Sequence, residues 1–385
     1  MNGHLVQRGK DKKRWSLVIE LGTDEKGKRK QTWKAFHGNK RDAQAELTRL
    51  VAEANSGLPI ESSHVKVSAF LERYLEDHAR LKVQPKTFER YAEHVHKHIN
   101  PAIGHIPLGK LTPMHIQNFY THLRNEGRLD GKGGLSERTI LHMHNVLHSA
   151  FDCAVRWQAM VRNPVNAVDR PKPQRTEMNF LTEAEVVSLL AAAKNTSRFV
   201  LLDFALGTGM RRGEILGLRW QDVDLDKSSV SVLHSLEQTR GGPLRLKTPK
   251  TKQSRRRVTL PPYIVQRLRG HKAIQAKERM RFGESYQNND LVFCRADGSF
   301  LPPDQLSGFF KKFATTWGRP EVRFHDLRHT HASSLLLHNV HPKVVSERLG
   351  HASIGITLDT YSHVVPTMQE DAARCMQQAF GNAAG

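Results

Sequence analysis

The sequence predicts a multidomain protein, mainly α with small β elements. A small α+β unit comes first, then an all-α bundle, then a mixed α/β unit that is mostly α. Three observations predict this. β-forming residues gather in two places, Trp15 to Phe36 and Val230 to Leu260. Capped apolar segments at helical spacing fill most of the rest. Breaks at Ser56-Gly57-Leu58-Pro59 and around Asn163-Pro164 and Pro171-Lys172-Pro173 divide the chain into residues 1–57, 64–165 and 178–385.

In the first unit, Trp15 to Leu21 alternates and is β-rich, Thr23 to Gly27 reads as a turn, and Arg29 to Phe36 reads as a second strand. Asn39 is placed to cap a helix running to about Ala54. In the second unit, Phe70, Tyr74 and Leu75 share one face of a first helix, and Thr87 to Ile99 forms a second. Thr112-Pro113 is a cap followed by proline at the first helical position and opens a third, to about Arg124. Ser136 to Trp157 is a long fourth, with Ile140, Val146, Leu147 and Val155 apolar. The Asn163-Pro164 and Pro171-Lys172-Pro173 segments then read as linker.

In the third unit, Thr182-Glu183-Ala184-Glu185 is a capping box ahead of Val186, Leu189 and Leu190. A second helix ends at Gly207-Thr208-Gly209. Strands follow over Val230 to Leu236, Leu244 to Lys247 and Arg257 to Leu260, with a turn at Gly241-Gly242. Beyond Pro262 the pattern is mainly helical, including Met368 to Phe380.

The chain has 385 residues, with 59 Lys plus Arg against 38 Asp plus Glu, a net charge of +21. The excess is spread along the chain, which favours a polyanion partner, nucleic acid being the commonest. No stretch approaches the ~20 apolar residues of a membrane span. The N-terminal residues lack an apolar signal region, and Cys153, Cys294 and Cys375 are too few and too scattered for a disulfide framework. The expectation is a cytoplasmic protein with no membrane association. Gly104 to Lys110 has phosphate-loop spacing, but Leu111 stands where a hydroxyl must hold magnesium, which excludes that NTPase reading.

The chemistry-bearing residues lie late in the chain. Arg211 follows the sharp Gly207-Thr208-Gly209 turn, with Glu214 three residues on, set either to orient an arginine or to start a helix. Between Arg240 and Arg281 there are fourteen Lys or Arg residues and one acid, Glu278, which suits a basic turn against DNA phosphates. His325 and Arg328 share a helix face, Asp326 suits that helix's N-terminus, His351 follows Leu349-Gly350, and Tyr361 follows Leu358-Asp359-Thr360. His329 and His331 raise a metal site, but no cysteine or metalloprotease pattern completes one. The pairs His94/His98 and His144/His148 read as solvated or nucleic-acid-facing surfaces. Five further tyrosines, Tyr74, Tyr91, Tyr120, Tyr263 and Tyr286, read as core or surface aromatics.

Taken in order, Arg211, a lysine of the basic turn, His325-x-x-Arg328, Leu349-Gly350-His351 and Tyr361 resemble the active site of the tyrosine recombinase (phage integrase) family. The likeness is specific over residues 178–370. Phage-type members carry a small arm-binding domain and a helical core-binding domain before the catalytic one, and the three units above have that order.

The resemblance implies a site-specific DNA recombinase that integrates or excises a mobile element such as a prophage. Its catalytic residues would be Arg211, Lys250, His325, Arg328, His351 and Tyr361. Lys250 aligns best as the lysine, Lys252 is second and Lys247 third. Tyr361 would attack a phosphodiester to give a 3′-phosphotyrosyl link and a free 5′-hydroxyl, with His325 assisting proton removal and Lys250 protonating the leaving oxygen. No cofactor and no metal are implied. The implied partners are double-stranded DNA at recombination sites, three further copies forming a homotetramer on paired sites, and a directionality factor or host DNA-bending protein. A type IB topoisomerase-like enzyme and a non-enzymatic DNA-binding protein are the alternatives; strand transfer between two duplexes separates them.

Overall fold

The computed structural model describes residues 2–7, 13–23, 29–55, 65–174, 178–239, 242–248, 255–361 and 368–381. The chain divides into two compact units, Met1–Arg175 and Thr176–Gly385.

The first unit holds two separate cores. In one, strands β1 (Gly3–Gln7), β2 (Arg14–Thr23) and β3 (Arg29–His37) form an antiparallel sheet in the order β1-β2-β3. Trp15, Leu17 and Ile19 recur with the strand period of two and pack with Ala43, Leu47 and Leu50 of helix α1 (Lys40–Asn55). Asn39 caps α1, its Oδ1 accepting from the Asp42 amide at 2.8 Å. Strand β1 was not foreseen. Its five residues carry little pattern of their own, and its partner is supplied by β2, with Leu5 opposite Leu17. The expected turn at Thr23 to Gly27 lies mostly outside the described residues.

The other core is helical. Helix α2 (Val67–Tyr74) runs through a π-helical turn, Leu75–Ala79, into α3 (Arg80–Lys82). Helix α4 (Pro85–His94) passes likewise through Val95–Ile99 into α5 (Asn100–Ile103). Helix α6 (Pro113–Glu126) starts on a capping box between Thr112 and His115, and α7 (Glu137–Arg156) on the Ser136 cap. Phe70, Leu71, Tyr74, Ile116, Tyr120, Ile140, Leu147 and Phe151 fill the interior.

Two expectations are corrected here. Asn163-Pro164 is not linker. Pro164 and Val165 are buried, and Asn163 Nδ2 donates to Asp152 Oδ1 at 2.7 Å and to the His148 carbonyl at 3.0 Å. The histidine pairs are only in part solvated: His94 and His144 are buried, whereas the His148 side chain is 44 % exposed beside Asp152. Their i,i+4 spacing fixes a shared face but not which way it points. His144 Nδ1 pairs with the Tyr120 hydroxyl at 2.9 Å, and burial pushes His94 down to about 4, so it sits in the core uncharged.

The second unit opens with α8 (Glu183–Ala193), whose Thr182–Glu185 capping box is formed, and α9 (Phe199–Thr208). After α10 (Arg212–Leu216) the β region is two small sheets. Strands β4 (Val223–Asp224), β5 (Ser229–Val232) and β8 (Arg256–Thr259) form one; β6 (Ser235–Gln238) and β7 (Leu244–Lys247) form the other. The single strand expected over Val230 to Leu236 is therefore split. β5 bonds to β4 and β8, whereas β6 bonds to β7, and the chain changes sheets at Leu233–His234. Helices α11 (Pro262–Phe282), α12 (Pro303–Thr316), α13 (Asp326–Leu337), α14 (Pro342–Leu349), α15 (Ile354–Tyr361) and α16 (Met368–Phe380) complete the unit. Leu202, Phe204, Ile215, Val230, Val258, Leu268, Val292 and Phe310 form its main core, while Ala332, Leu336, Val345, Leu349 and Tyr361 form a smaller one. Among the described residues no helix is long and apolar enough to cross a membrane.

Tyr120→Phe removes the partner of a buried imidazole nitrogen, so it should lower stability by about 1–3 kcal/mol. Urea unfolding of the full chain checks this, and an unchanged midpoint would contradict the pairing.

Candidate active site

A helix leaves its last carbonyls without intrahelical partners, and these carry the negative end of its dipole. Helices α9 and α14 both end on a left-handed glycine, Gly209 at φ +63° and Gly350 at φ +67°. Only glycine takes that conformation cheaply. A Cβ at Gly209 would also lie 2.5 Å from His331 Cδ2. The carbonyls freed by these two endings are taken up by basic side chains.

Arg328, on the first turn of α13, donates from Nη1 to the Gly209 carbonyl at 2.7 Å and from Nη2 to the Leu349 carbonyl at 2.8 Å. Arg211, the residue before α10, donates from Nη2 to the Gly350 carbonyl at 2.9 Å. Arg256 on β8 donates from Nε to the Arg348 carbonyl at 2.6 Å. Arg348 reaches the other helix end, donating to the Gly207 carbonyl at 3.1 Å and to His331 Nε2 at 3.0 Å. His331 Nδ1 lies 2.7 Å from the Leu206 carbonyl. Arg348 can only donate, so His331 accepts at Nε2 and carries its proton on Nδ1.

One carboxylate lies among these cations. Glu214 accepts from Arg256 through both oxygens at 3.1 and 2.8 Å, from Arg211 Nη1 at 2.9 Å, and from the Arg211 amide at 2.9 Å. Both sequence readings of Glu214 hold together: it orients arginines and it closes the start of α10. Burial pushes its carboxyl up, but the Arg256 fork and the Arg211 charge outweigh this and hold it below the usual carboxylate range. Arg328 is 4 % exposed, and burial followed by the Arg211 charge pushes it down to about 9, which leaves it cationic at neutral pH. Arg211 keeps 40 % of its side chain open.

Around the arginines stand His325, His351 and Tyr361. His325 is the residue before α13, and its ring lies edge-on to His329, centroids 5.0 Å apart. It meets solvent over part of its area, yet crowding by protein atoms and the Arg328 charge lower its pKa. His351 Nδ1 is 2.8 Å from Thr357 Oγ1; burial and the charges of Arg328 and Arg211 push it to about 4. Tyr361 ends α15 with 1 % exposure, and burial raises its phenol to about 12 against the opposing pull of Arg328.

Five of the six residues named from the sequence thus meet in one place: Arg211, His325, Arg328, His351 and Tyr361. Lys250, and Lys252 behind it, lie outside the described residues. Lys247 is engaged elsewhere, its Nζ 3.1 Å from Glu237 Oε2. Three participants were missed. His329 Nδ1, weighed in the sequence only as a metal ligand, is 2.8 Å from the Tyr361 hydroxyl. Arg256 and Arg348 were hidden among many basic residues. Strand alternation could have singled out Arg256, since it shares the inward face of β8 with Val258. Among the described residues no group of three His, Cys, Asp or Glu side chains is placed to hold a metal ion.

Comparison with known proteins gives the same region a context. Residues 179–368 match the model of the phage integrase family, and residues 66–124 match that of the phage integrase N-terminal SAM-like domain. A XerC-like tyrosine recombinase of Caldanaerobacter subterraneus subsp. tengcongensis is 29% identical, covering 97% of this chain and 98% of its own. Among solved structures, the Tn1549 transposon integrase in complex with transposon right end DNA aligns with TM-score 0.68 at 19% identity, over 82% of this chain and 99% of that one. A lambda integrase tetramer bound to a Holliday junction aligns with TM-score 0.55 at 19% identity, over 91% and 95%.

The site histidines set a pH dependence. His329, His331 and His351 are held to about 4 by burial first, then by neighbouring cations. In the unfolded chain they titrate near ~6.5. Between those values the unfolded chain binds protons that the folded chain refuses, so stability falls as pH drops from about 6.5 to about 4. Thermal unfolding between pH 7.5 and 4.5 should show a steadily falling midpoint below about 6.5; a flat profile would contradict the burial of these rings.

Proposed function

The chain belongs to the phage integrase family, and from that premise we propose that it is a site-specific DNA recombinase. It breaks and rejoins DNA strands through a tyrosyl ester to integrate or excise a mobile element, a prophage in the simplest case. The observation that carries the reading is the convergence of Arg211, Arg328 and Tyr361 on the ends of α9 and α14. One carboxylate, Glu214, stands against three guanidiniums, those of Arg211, Arg256 and Arg328. The uncompensated charge suits a phosphodiester, whose non-bridging oxygens the open side of Arg211 and the neighbouring Arg328 would hold.

The chemistry follows from these groups. Tyr361 Oη attacks phosphorus and the phosphorus–5′-oxygen bond breaks, giving a 3′-phosphotyrosyl protein and a free 5′-hydroxyl. Lys250, between β7 and β8 in the sequence, is assigned as the acid that protonates the leaving oxygen. His351 is assigned as a hydrogen-bond donor to the phosphate, and His325, expected from the sequence to assist proton removal, is reassigned to the same task because the imidazole placed at Tyr361 Oη is that of His329. A 5′-hydroxyl of a second duplex then attacks the ester and completes the exchange. The ester retains the bond energy, so no nucleotide is consumed.

Three domains share the work in this reading. Residues 1–57 are assigned as an arm-type DNA-binding domain, 64–165 as the core-binding domain and 178–385 as the catalytic domain. The lambda integrase likeness supports a tetramer on paired sites. Exposed Met376 and Phe380 on α16 suit packing of the tail on a neighbouring protomer. A directionality factor or a host DNA-bending protein is a further partner of this reading. The cytoplasm, where its DNA is, is the assigned location.

Direct repeats bordering the element that encodes the chain supply the test substrate. Two duplexes carrying that repeat should yield recombinant strands with the parent protein. Arg211→Ala and Arg328→Lys should lower covalent cleavage by about 100-fold or more while gel-shift affinity stays within about tenfold, because most phosphate contacts lie elsewhere. Relaxation of supercoils without a paired site, or DNA binding without any strand transfer, would overturn the reading.

A further inference from the structure

The nucleophile's hydrogen-bond partner is a residue that the recombinase reading leaves without a role. His329 Nδ1 lies 2.8 Å from Tyr361 Oη, and the two rings are 5.8 Å apart at 55°. His329 directly follows Arg328 on α13, so the turn that presents the guanidinium also presents the imidazole. Tyr361 is fixed from the other side, packed with Ala332, Leu336, Val345 and Leu349. Both ends of the contact are thus set by packed helices.

We propose that His329 is a catalytic residue, whose Nδ1 takes the phenolic proton as Tyr361 Oη attacks the phosphorus. This rests on the recombinase reading and adds a base to it. The Oη–H bond breaks and the Nδ1–H bond forms. The Oη electron pair makes the bond to phosphorus, and the 5′ oxygen leaves with a proton from the general acid. The resulting imidazolium returns its proton to solvent before the next cycle.

The surroundings suit that role. Burial raises the phenol to about 12, so unaided ionisation near pH 7 is negligible. The groups facing His329 are His325, Arg323, Arg328, His351 and Tyr361 itself. Burial, then His325, Arg328 and Arg323, push the imidazole to about 4, so near pH 7 the ring is neutral with one nitrogen free to accept; the tautomer proposed is the one in which that nitrogen is Nδ1, beside Tyr361 Oη. The resting site therefore blocks the transfer. A phosphodiester between the arginines adds the negative charge that stabilises an imidazolium, so the proton moves when DNA is present and together with the attack.

The test uses the full chain and a nicked duplex carrying the repeat, reading the single-turnover rate of covalent adduct. His329→Ala should slow it by about 100-fold or more. His329→Asn, which keeps an acceptor near the Nδ1 position but no base, should be equally slow. Difluorotyrosine at position 361, with a more acidic phenol, should recover about tenfold or more in both variants and nothing in Arg211→Ala. Gel shift and thermal unfolding confirm that each variant is folded and binds DNA. A His329→Ala rate within about threefold of the parent, full rescue by His329→Asn, or no recovery with difluorotyrosine would each overturn the proposal. Adduct formation by Tyr361→Phe would instead overturn the recombinase reading itself.

Discussion

Two helix ends hold the site together. Helices α9 and α14 stop on left-handed glycines, and the carbonyls they leave unpaired become the acceptors for Arg211, Arg256, Arg328 and Arg348. A buried guanidinium without partners would be prohibitive. Here backbone oxygens at the negative ends of two helix dipoles satisfy the donors while cancelling only part of the charge. Glu214, the carboxylate paired with Arg211 and Arg256, cancels one unit more. The remainder is a concentrated positive field with Arg211 half open to solvent, which is the electrostatic shape a phosphodiester transition state requires.

The same burial that sharpens this field restrains the proposed nucleophile. Tyr361 is almost fully enclosed, its phenol raised to about 12, its hydroxyl on His329 and its ring in a small apolar core. Three nearby imidazoles are kept neutral by desolvation and by the arginines. In the proposed mechanism the site without DNA is cationic but holds its phenol protonated. On that proposal, a phosphate brought into it would change the balance for both phenol and imidazole and so couple reactivity to substrate. Such coupling would keep the phenol from ionising where no DNA phosphate is present.

Much of this was legible in the sequence, for reasons that can be named. Asn39, Thr112, Ser136 and Thr182 announce helix starts because capping is a local interaction of a few residues. Arg211, His325, Arg328, His351 and Tyr361 could be singled out because the family pattern fixes their order and local spacing. What failed depends on long-range partners. The five residues of β1 become a strand because β2 lies beside them, and the chain changes sheets at Leu233–His234 because β6 finds β7. Helical spacing put His94 with His98 and His144 with His148, but could not show that His94 and His144 face inward. His329 was adjacent to Arg328 in the sequence, yet its partner is 32 residues away, and only the small core shared by α13, α14 and α15 brings them together.

The most direct measurement is peptide mapping by mass spectrometry of the adduct that accumulates on a nicked recombination-site duplex. The account predicts a 3′-linked nucleotide on the tryptic peptide containing Tyr361, attached through the phenolic oxygen. A nucleotide on any other side chain, or a stalled reaction with no covalent nucleotide, would contradict it.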